Sequence, residues 1–169
     1  EVSDTDRSMD LLINLFFTQT MNQLCTYADE RCEDSQLPVP VRFFMDDFAT
    51  NCRIDNFENM ISNIRSRKIS AILILQSLSQ LEQSYDMGAH TIADDCDTLI
   101  YMGGNDPKTA SSIATRCNKT TQTILHMPLC TSWIFRRGAQ PFMCRNMELD
   151  DYLHQKGIVT KCMREAQVY

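Results

Sequence analysis

The sequence predicts an α/β protein with a mostly parallel sheet and helices on both of its faces. Segments typical of strands and of helices alternate from residue 41 to residue 117, which is the pattern of strand–helix–strand units in a parallel sheet. The run "ISAILILQ" (69–76) is continuously apolar and rich in β-branched residues, as expected of a strand covered on both faces. The chain has 169 residues and an apolar fraction of 43%, which suits one globular domain.

The first predicted elements are a long helix, a loop and a short strand. Residues 9–32 carry apolar or small side chains at the three- and four-residue spacing of one helix face; these are Leu11, Leu15, Thr18, Met21, Cys25 and Ala28. "EDSQLPVP" (33–40) contains two prolines and predicts a loop. "VRFFMD" (41–46) is then a buried strand that ends in an acidic residue.

The elements after residue 55 follow from the same patterns, a three- and four-residue spacing of apolar residues for helices and short apolar runs for strands. In order they are a helix at 56–67, the strand at 69–76, a helix at 77–85, a strand at 98–104, a helix at 105–117 and two strands within 131–145. Asn105 or Asp106 is the predicted N-cap of the helix at 105–117, and Gly138 is the predicted turn between the last two strands. The tail from Glu148 is weakly helical. We divide the chain into residues 1–35, 36–145 and 146–169, with the middle segment as the main domain.

Composition excludes several classes of protein. The net charge of -6 argues against a protein that coats duplex DNA, because such binding depends on many Lys and Arg contacts to phosphates. No apolar run reaches the roughly 18 residues that span a bilayer, and the N-terminus has no signal-peptide organisation. The eight cysteines form no CxxC pair, and none of the three histidines has metal-ligand spacing from a cysteine. Free thiols in a reducing cytoplasm are therefore expected.

Polar residues follow the predicted strands at their carboxyl ends, where ligands bind in parallel sheets. They are Asp46, Asp47, Gln76 and the pair Gly103-Gly104. In nucleotide hydrolases of the P-loop class, the first of two such acids holds hydrated Mg²⁺, which prefers hard oxygen ligands, and the second lies next to the attacking water. The alternative is that Asp46 only ends the strand and Asp47 caps a turn.

Gln76 and the segment "IRSRK" (64–68) each allow two interpretations. A glutamine at the end of the neighbouring strand can sense a γ-phosphate or orient a water, or it can simply cap a helix or face solvent. Cations at a helix C-terminus are favoured by the helix dipole, which would make the basic segment a solvated patch. Alternatively, Arg65 or Arg67 is an arginine finger for a neighbouring subunit, because guanidinium is always charged and binds phosphate oxygens in a fork.

The sequence contains no phosphate-binding loop. The Walker A pattern GxxxxGK[ST] begins at none of the five glycines. Gly103-Gly104 lies between a strand and a helix but forms no GxGxxG, so a dinucleotide site is only weakly indicated. The pair is better interpreted as a tight turn with a positive φ.

Two segments resemble a known family. "PVPVRFFMDDFATNCRIDNFENMISNIRSRKISAILILQSLSQLEQSY" and "DDCDTLIYMGGNDPKTASSIA" are similar to the conjugative coupling proteins of type IV secretion, the TraG/TraD-like ATPases. The likeness covers roughly residues 9–117. It includes an acid pair followed by Phe-Ala, the "NF" helix, "RSR.IS", "LQ.LSQL" and "GGNDP.TA".

The resemblance implies a RecA-like P-loop NTPase fold, with residues 36–145 as the C-terminal half of the ATPase domain. It implies a hexameric ring that uses ATP and Mg²⁺ to drive DNA or protein into a secretion channel. The expected partners are other copies of the chain, a relaxase or secreted substrate, single-stranded DNA and other secretion-system proteins. The expected location is the cytoplasmic part of a protein anchored in the inner membrane.

The resemblance also assigns roles to four residues. Asp46 resembles the Walker B acid that holds Mg²⁺ through water, and Asp47 takes the place of the glutamate that polarises the attacking water. Gln76 resembles the sensor glutamine, so Asp46 and Gln76 are expected to bind the cofactor, and Arg65 falls at the arginine-finger position. The sequence departs from the family in the shorter Asp47, in Cys52 where glycine is more frequent, which is expected to tighten the loop, and in a shorter connection at 118–130.

Three functional hypotheses follow. The first is the C-terminal half of a coupling-protein ATPase, which cannot hydrolyse ATP alone because it lacks Walker A. The second is an interaction module without catalysis that docks on a secretion partner or relaxase. The third is part of a ring translocase of the FtsK/HerA kind that pumps duplex DNA, although "LQ.LSQL" and "GGNDP" favour the coupling proteins.

Overall fold

The computed structural model describes residues 10–50 and 53–156. The chain divides into two compact units: the first unit comprises the residues up to 97 together with 106–109, and the second comprises 98–105 and the residues from 110 onward. Each unit has a sheet and a hydrophobic core of its own. Within the described residues, no helix is long and apolar enough to cross a membrane.

The first unit contains the long helix and the parallel strands. In chain order its elements are α1 (Asp10–Arg31), β1 (Val41–Met45), α2 (Phe57–Ile64), β2 (Ile69–Leu73), α3 (Leu78–Tyr85) and α4 (Gly88–Asp95). Short 3-10 turns cover Glu33–Ser35 and Arg65–Arg67. The predicted helices and strands of this region are confirmed, except that Met9 lies outside the described residues. The sequence pattern does not predict α4, which is a separate short helix.

The two strands of the first unit pair in parallel, as predicted. Val41 is opposite Ile69 and Met45 is opposite Leu73. The backbone pairing continues past the strands, because the Ile74 N–H donates to the Met45 carbonyl at 2.9 Å and the Phe48 N–H donates to the Ile74 carbonyl at 3.0 Å. The carboxyl ends of β1 and β2 therefore meet at one edge of the sheet.

One face of this sheet packs on the core and the other is exposed. The core contains nine buried residues from α1, β1, α2, α3, α4 and their loops: Met21, Met45, Phe48, Ile54, Phe57, Leu81, Tyr85, Ala89 and Ile92. On the opposite face, which we name the outer face, Phe44, Ile72 and Ile74 are 66%, 38% and 48% exposed. The sequence predicts a strand covered on both faces, and in this structure the 69–76 segment is covered on one.

The second unit has an antiparallel sheet. Its strands are β3 (Thr98–Tyr101), β4 (Thr131–Arg136) and β5 (Phe142–Arg145), in the order β3-β4-β5. Its helices are α5 (Pro107–Cys117), whose first turn is assigned to the first unit, α6 (Thr121–Leu125) and α7 (Leu149–Gln155). The predicted strands, the turn at Gly138 (φ 76°) and the helix after Asp106 are confirmed.

The prediction that the strand at 98–104 joins the parallel sheet is wrong. Thr98 pairs with Arg136 and Tyr101 with Trp133, so β3 belongs to the antiparallel sheet. The alternation of strands and helices does not reveal this, since the chain after β3 also passes through helices before it reaches β4. The alternating burial of β3, with Tyr101 buried and Ile100 57% exposed, is typical of an antiparallel strand with one solvated face.

Candidate functional site

Asp46 and Asp47 form a turn directly after β1. The Asp46 carboxylate is exposed, and its Oδ1 accepts a hydrogen bond from the Asp47 N–H at 3.1 Å. Asp47 has a left-handed backbone, with φ 47°, which aspartate tolerates better than most residues. The Thr50 N–H donates to the Asp47 carbonyl at 3.0 Å and closes the turn. The turn therefore presents both carboxylates at the sheet edge.

The backbone after the acids is held by the core of the first unit. Phe48 is 3% exposed, its ring stacks on Tyr85 with 5.5 Å between centroids, and it lies 4.9 Å from the ring of Phe57. The Ser84 hydroxyl donates to the Ala49 carbonyl at 2.7 Å. Two anchors on α3 thus fix the loop that carries the aspartates.

Gln76 lies beside the second aspartate. Its Nε2 donates to Asp47 Oδ1 at 3.3 Å, and its Oε1 accepts from Gln80 Nε2 at 3.4 Å. The Ser77 hydroxyl that follows Gln76 accepts from the Gln80 N–H and caps α3. The structure therefore brings three of the four predicted site residues, Asp46, Asp47 and Gln76, to one edge of the parallel sheet.

The start of α5 contacts the start of α3 through hydrogen bonds. Thr109 Oγ1 accepts from the Leu78 N–H at 3.0 Å and also donates to Asp106 Oδ2. Asp106 Oδ2 further accepts from Ser79 Oγ at 2.7 Å and from the Thr109 N–H at 3.0 Å. Sequence reasoning identifies Asp106 only as a helix cap and misses Thr109 and Ser79, since their contacts depend on how two helices pack.

The Asp106 carboxylate is strongly stabilised in its ionised form. Hydrogen bonds from Thr109 and then from Ser79 lower its pKa from the usual 3.8 to about 2, because these donors favour the charged oxygen. Asp106 therefore remains an acceptor at every pH at which the protein would be expected to work.

The two candidate finger arginines differ in their contacts. Arg67 makes a forked pair with Asp29, with Nε–Oδ1 at 2.9 Å and Nη2–Oδ2 at 2.7 Å, and its Nη1 donates to the Asn63 carbonyl at 2.8 Å. Arg65 has a side chain that is 79% exposed and forms one ion pair, with Asp97, at 3.5 Å. Of the two, Arg65 is the one whose guanidinium is accessible.

Arg65 lies at the opposite end of β2 from Gln76. The 3-10 turn that carries it precedes Ile69, whereas Gln76 follows Leu73. The strand between them spans roughly 13 Å at about 3.3 Å per residue step. Arg65 is thus not part of the edge formed by Asp46, Asp47 and Gln76.

The oxygen atoms of this edge fit a hydrated magnesium ion. Asp46 presents an exposed carboxylate, and the carboxylate of the next residue, Asp47, accepts a hydrogen bond from Gln76. Mg²⁺ commonly keeps several waters and is bound by one or two carboxylates together with phosphates. Among the described residues no group of three or more His, Cys, Asp or Glu side chains forms an all-protein metal cage.

Other predicted features lie elsewhere. Gly103 has φ 100°, so the predicted positive φ is confirmed there, and the pair belongs to the second unit. Six cysteines are free thiols in the part of the chain that the structure describes: Cys25, Cys32, Cys96, Cys117, Cys130 and Cys144. Burial raises the pKa of Cys25 and Cys96. Cys52 and its predicted effect on the loop lie outside the described residues.

The chain is similar to one protein family and to solved structures of coupling proteins. The signature of the TraM recognition site of TraD and TraG matches residues 40–125, just over half of the chain. No curated protein matches the chain.

Several solved structures of coupling proteins match the chain. The plasmid coupling protein TrwB in complex with the GTP analogue GDPNP is 18% identical, with a TM-score of 0.64 over 82% of this chain and 38% of that one. The trigonal form of the bacterial conjugative coupling protein TrwBdeltaN70 with sulphate is 16% identical, with a TM-score of 0.70 over 82% and 37%. TrwB with ADP and Mg²⁺ is 17% identical, with a TM-score of 0.64 over 82% and 38%. The chain thus shares their fold and spans less than two fifths of their length.

Proposed function

The chain belongs to the family of the TraM recognition site of TraD and TraG, and we propose that it is the C-terminal half of the RecA-like motor domain of a conjugative coupling ATPase. In this proposal, residues 36–145 contribute the Walker B strand and the sensor, and the phosphate-binding loop lies in a segment outside this chain. The observation that carries the proposal is the hydrogen bond from Gln76 Nε2 to Asp47 Oδ1 at 3.3 Å. It joins the ends of two parallel strands, where nucleotides bind in such sheets.

The three side chains at this edge would divide the work of ATP hydrolysis. ATP and Mg²⁺, when bound, supply the phosphoryl group and the positive charge that stabilises its transfer. The Asp46 carboxylate would hold the hydrated cation, and Asp47 Oδ2 would accept a hydrogen bond from the attacking water. Gln76, held against Asp47 Oδ1, would sense the γ-phosphate.

Aspartate at position 47 places its carboxylate nearer the backbone than glutamate would. The carboxylate is expected to stand on the order of 1 Å further from the water, a displacement that can cost about 10²-fold in rate. Turnover is accordingly expected to be slow.

Arg65 would act on the nucleotide of a neighbouring subunit. It is exposed, and it lies at the opposite end of β2 from Gln76, so its guanidinium is available to another copy of the chain. This role supports a ring, a hexamer in the proposed parent protein. The remaining proposed partners are single-stranded DNA, a relaxase or secreted substrate and other secretion-system proteins, with the parent protein anchored in the inner membrane.

Turnover of ATP by the protein expressed from the complete reading frame tests this function. Asp46→Ala is expected to lower kcat by about 10²-fold or more, because it removes a charged group that holds the cation. Asp55→Ala is the matched control, since Asp55 is an exposed aspartate of the same segment outside the site. Equal turnover by Asp46→Ala and the unchanged protein would contradict the proposal, as would Mg²⁺-dependent turnover by the 169-residue chain alone.

The family description supports a second role, recognition of a protein of the TraM kind. This role requires no catalysis, and the matched residues 40–125 would form the surface that recognises the partner. Titration of the 169-residue chain with the TraM-type protein of the same genetic element would test it by isothermal calorimetry. Saturable binding that survives Asp46→Ala would establish docking independently of hydrolysis, and an absence of heat change would exclude this role.

A further inference from the structure

The orientation of the Gln76 amide depends on helix α3. Asp47 Oδ1 holds its nitrogen at 3.3 Å, and the Gln80 amide, one turn into α3, holds its oxygen at 3.4 Å. The Oε1 of Gln80 itself is buried and has no hydrogen-bond partner among the described residues. Since both the nitrogen and the oxygen of the Gln76 amide are hydrogen-bonded, a shift of α3 would move or rotate the amide relative to Asp47.

The first turn of α3 is in turn fixed by the start of α5. The Leu78 N–H, two residues after Gln76, donates to Thr109 Oγ1, and the Ser79 hydroxyl donates to Asp106 Oδ2. Thr109 is 8% exposed, so water does not readily replace its hydroxyl. A Lys108–Glu82 ion pair joins the same two helices one turn further along.

These hydrogen bonds, together with the first turn of α3, form a path that ends at Gln76. It runs from Asp106 Oδ2 through Thr109 Oγ1 to the Leu78 N–H, and from there along the first turn of α3 to Gln80 and Gln76. We propose that Thr109 and Asp106 are positioning residues for Gln76, which set the start of α3 so that the Gln76 amide stays against Asp47. This inference rests on the proposed role of Gln76 in hydrolysis. The low pKa of Asp106 is consistent with it, because the carboxylate that accepts from Thr109 and Ser79 is ionised at neutral pH.

A matched set of variants separates positioning from folding. Thr109→Val has nearly the shape of threonine but lacks the hydroxyl, and Thr109→Ser keeps the hydroxyl. Thr115→Val is the control, since the Thr115 hydroxyl belongs to the same helix and donates only to the Ser111 carbonyl, at 3.0 Å. In the protein from the complete reading frame, Thr109→Val is expected to lower the kcat for ATP on the order of 10- to 100-fold. The KM is expected to change little, and Thr109→Ser and Thr115→Val should keep most of the activity.

A second measurement reads the position of Gln76 without any nucleotide. In the 169-residue chain labelled with ¹⁵N, the Gln76 side-chain amide signals are assigned from their loss in Gln76→Glu. Thr109→Val is expected to shift these signals and to speed their exchange with solvent, and Thr109→Ser to restore them.

The outcomes distinguish the two proposals. Shifted Gln76 signals with a lower kcat support both. Shifted signals with unchanged turnover support the positioning role and overturn the role of Gln76 in hydrolysis. Unchanged Gln76 signals, with only a lower thermal unfolding temperature, overturn the positioning role and leave Thr109 as a structural residue. The same conclusion follows if Thr115→Val lowers kcat as much as Thr109→Val.

Discussion

Two arginines that stand two residues apart show how the same residue type takes different roles. Arg67 uses its Nε, Nη1 and Nη2 atoms within its own unit, and its hydrogen bonds to Asp29 raise its pKa further above the usual value. Arg65 is 79% exposed and has one ion pair at 3.5 Å. Both lie in the segment "IRSRK", and they differ in their partners, since Arg67 pairs with Asp29 of α1 and Arg65 with Asp97.

This difference predicts that two substitutions change stability by different amounts. Arg67→Ala is expected to lower the free energy of unfolding by about 1 kcal/mol, because it leaves Asp29 and the Asn63 carbonyl without their donor; the partly exposed pair is screened by solvent. Arg65→Ala is expected to change it by less than about 0.5 kcal/mol. Urea denaturation of both variants measures these values.

Activity should show the reverse order. In the protein from the complete reading frame, Arg65→Ala is expected to impair ATP turnover more than Arg67→Ala does. If Arg67→Ala abolishes turnover while Arg65→Ala retains it, the finger is assigned to the wrong arginine.

At the scale of elements, the loop after β1 depends on the buried ring of Phe48. Phe48→Ala is expected to cost about 3–5 kcal/mol of unfolding free energy, because it removes a buried ring from a cluster with Tyr85 and Phe57. Phe44→Ala, in the adjacent strand, removes a ring that is 66% exposed and should cost less than about 1 kcal/mol. Urea midpoints compare the two, with Phe48→Leu as a milder change if Phe48→Ala does not fold. Similar losses for Phe44 and Phe48 would refute the anchoring role.

The elements were predictable where apolar residues form a clear pattern. The helix α1 follows from the three- and four-residue spacing of its apolar residues, and the strands β1 and β2 follow from short apolar runs, which also place Asp46 and Gln76 at strand ends. The helix α6 has five residues, too few turns to establish a helical period. The partner of β3 was not predictable either, because strand pairing is decided by tertiary contacts rather than by the order of elements.

The residues that support the site could not be predicted from the sequence, for a related reason. From the sequence alone, Thr109 is an ordinary position within α5 and Gln80 is a polar residue of α3. Each acquires its role from a hydrogen bond to another element, Leu78 for Thr109 and Gln76 for Gln80. No spacing within one segment encodes such a contact.

At the scale of the whole molecule, the outer face of the parallel sheet is an exposed apolar surface. Parallel sheets in α/β proteins have both faces covered, and the coupling proteins of the same fold are more than twice as long as this chain. We therefore expect the outer face, formed by Phe44, Ile72 and Ile74, to be covered in the complete motor domain proposed above.

Substitution of the outer face tests this expectation. Phe44→Ser is expected to make the 169-residue chain less prone to self-association, because it removes an exposed ring, and to destabilise the complete protein, in which the ring would be buried. Arg42→Ser, on the same face of β1, is the control. Light scattering of the chain and thermal unfolding of the complete protein measure the two effects. An unchanged unfolding temperature for Phe44→Ser would show that the face stays open.

The strand β2 connects a basic turn at its start to Gln76 beyond its end, and this restricts how the chain can vary in length. Side chains alternate between the two faces along a strand, so one residue inserted within 69–73 would turn Ile69, which is 2% exposed, toward the outer face. If Ile69 instead keeps its place, the insertion would move Gln76 along the strand direction by about 3.3 Å relative to Asp47. The segment from Arg65 to the end of α3 is therefore expected to keep a constant length among functional variants.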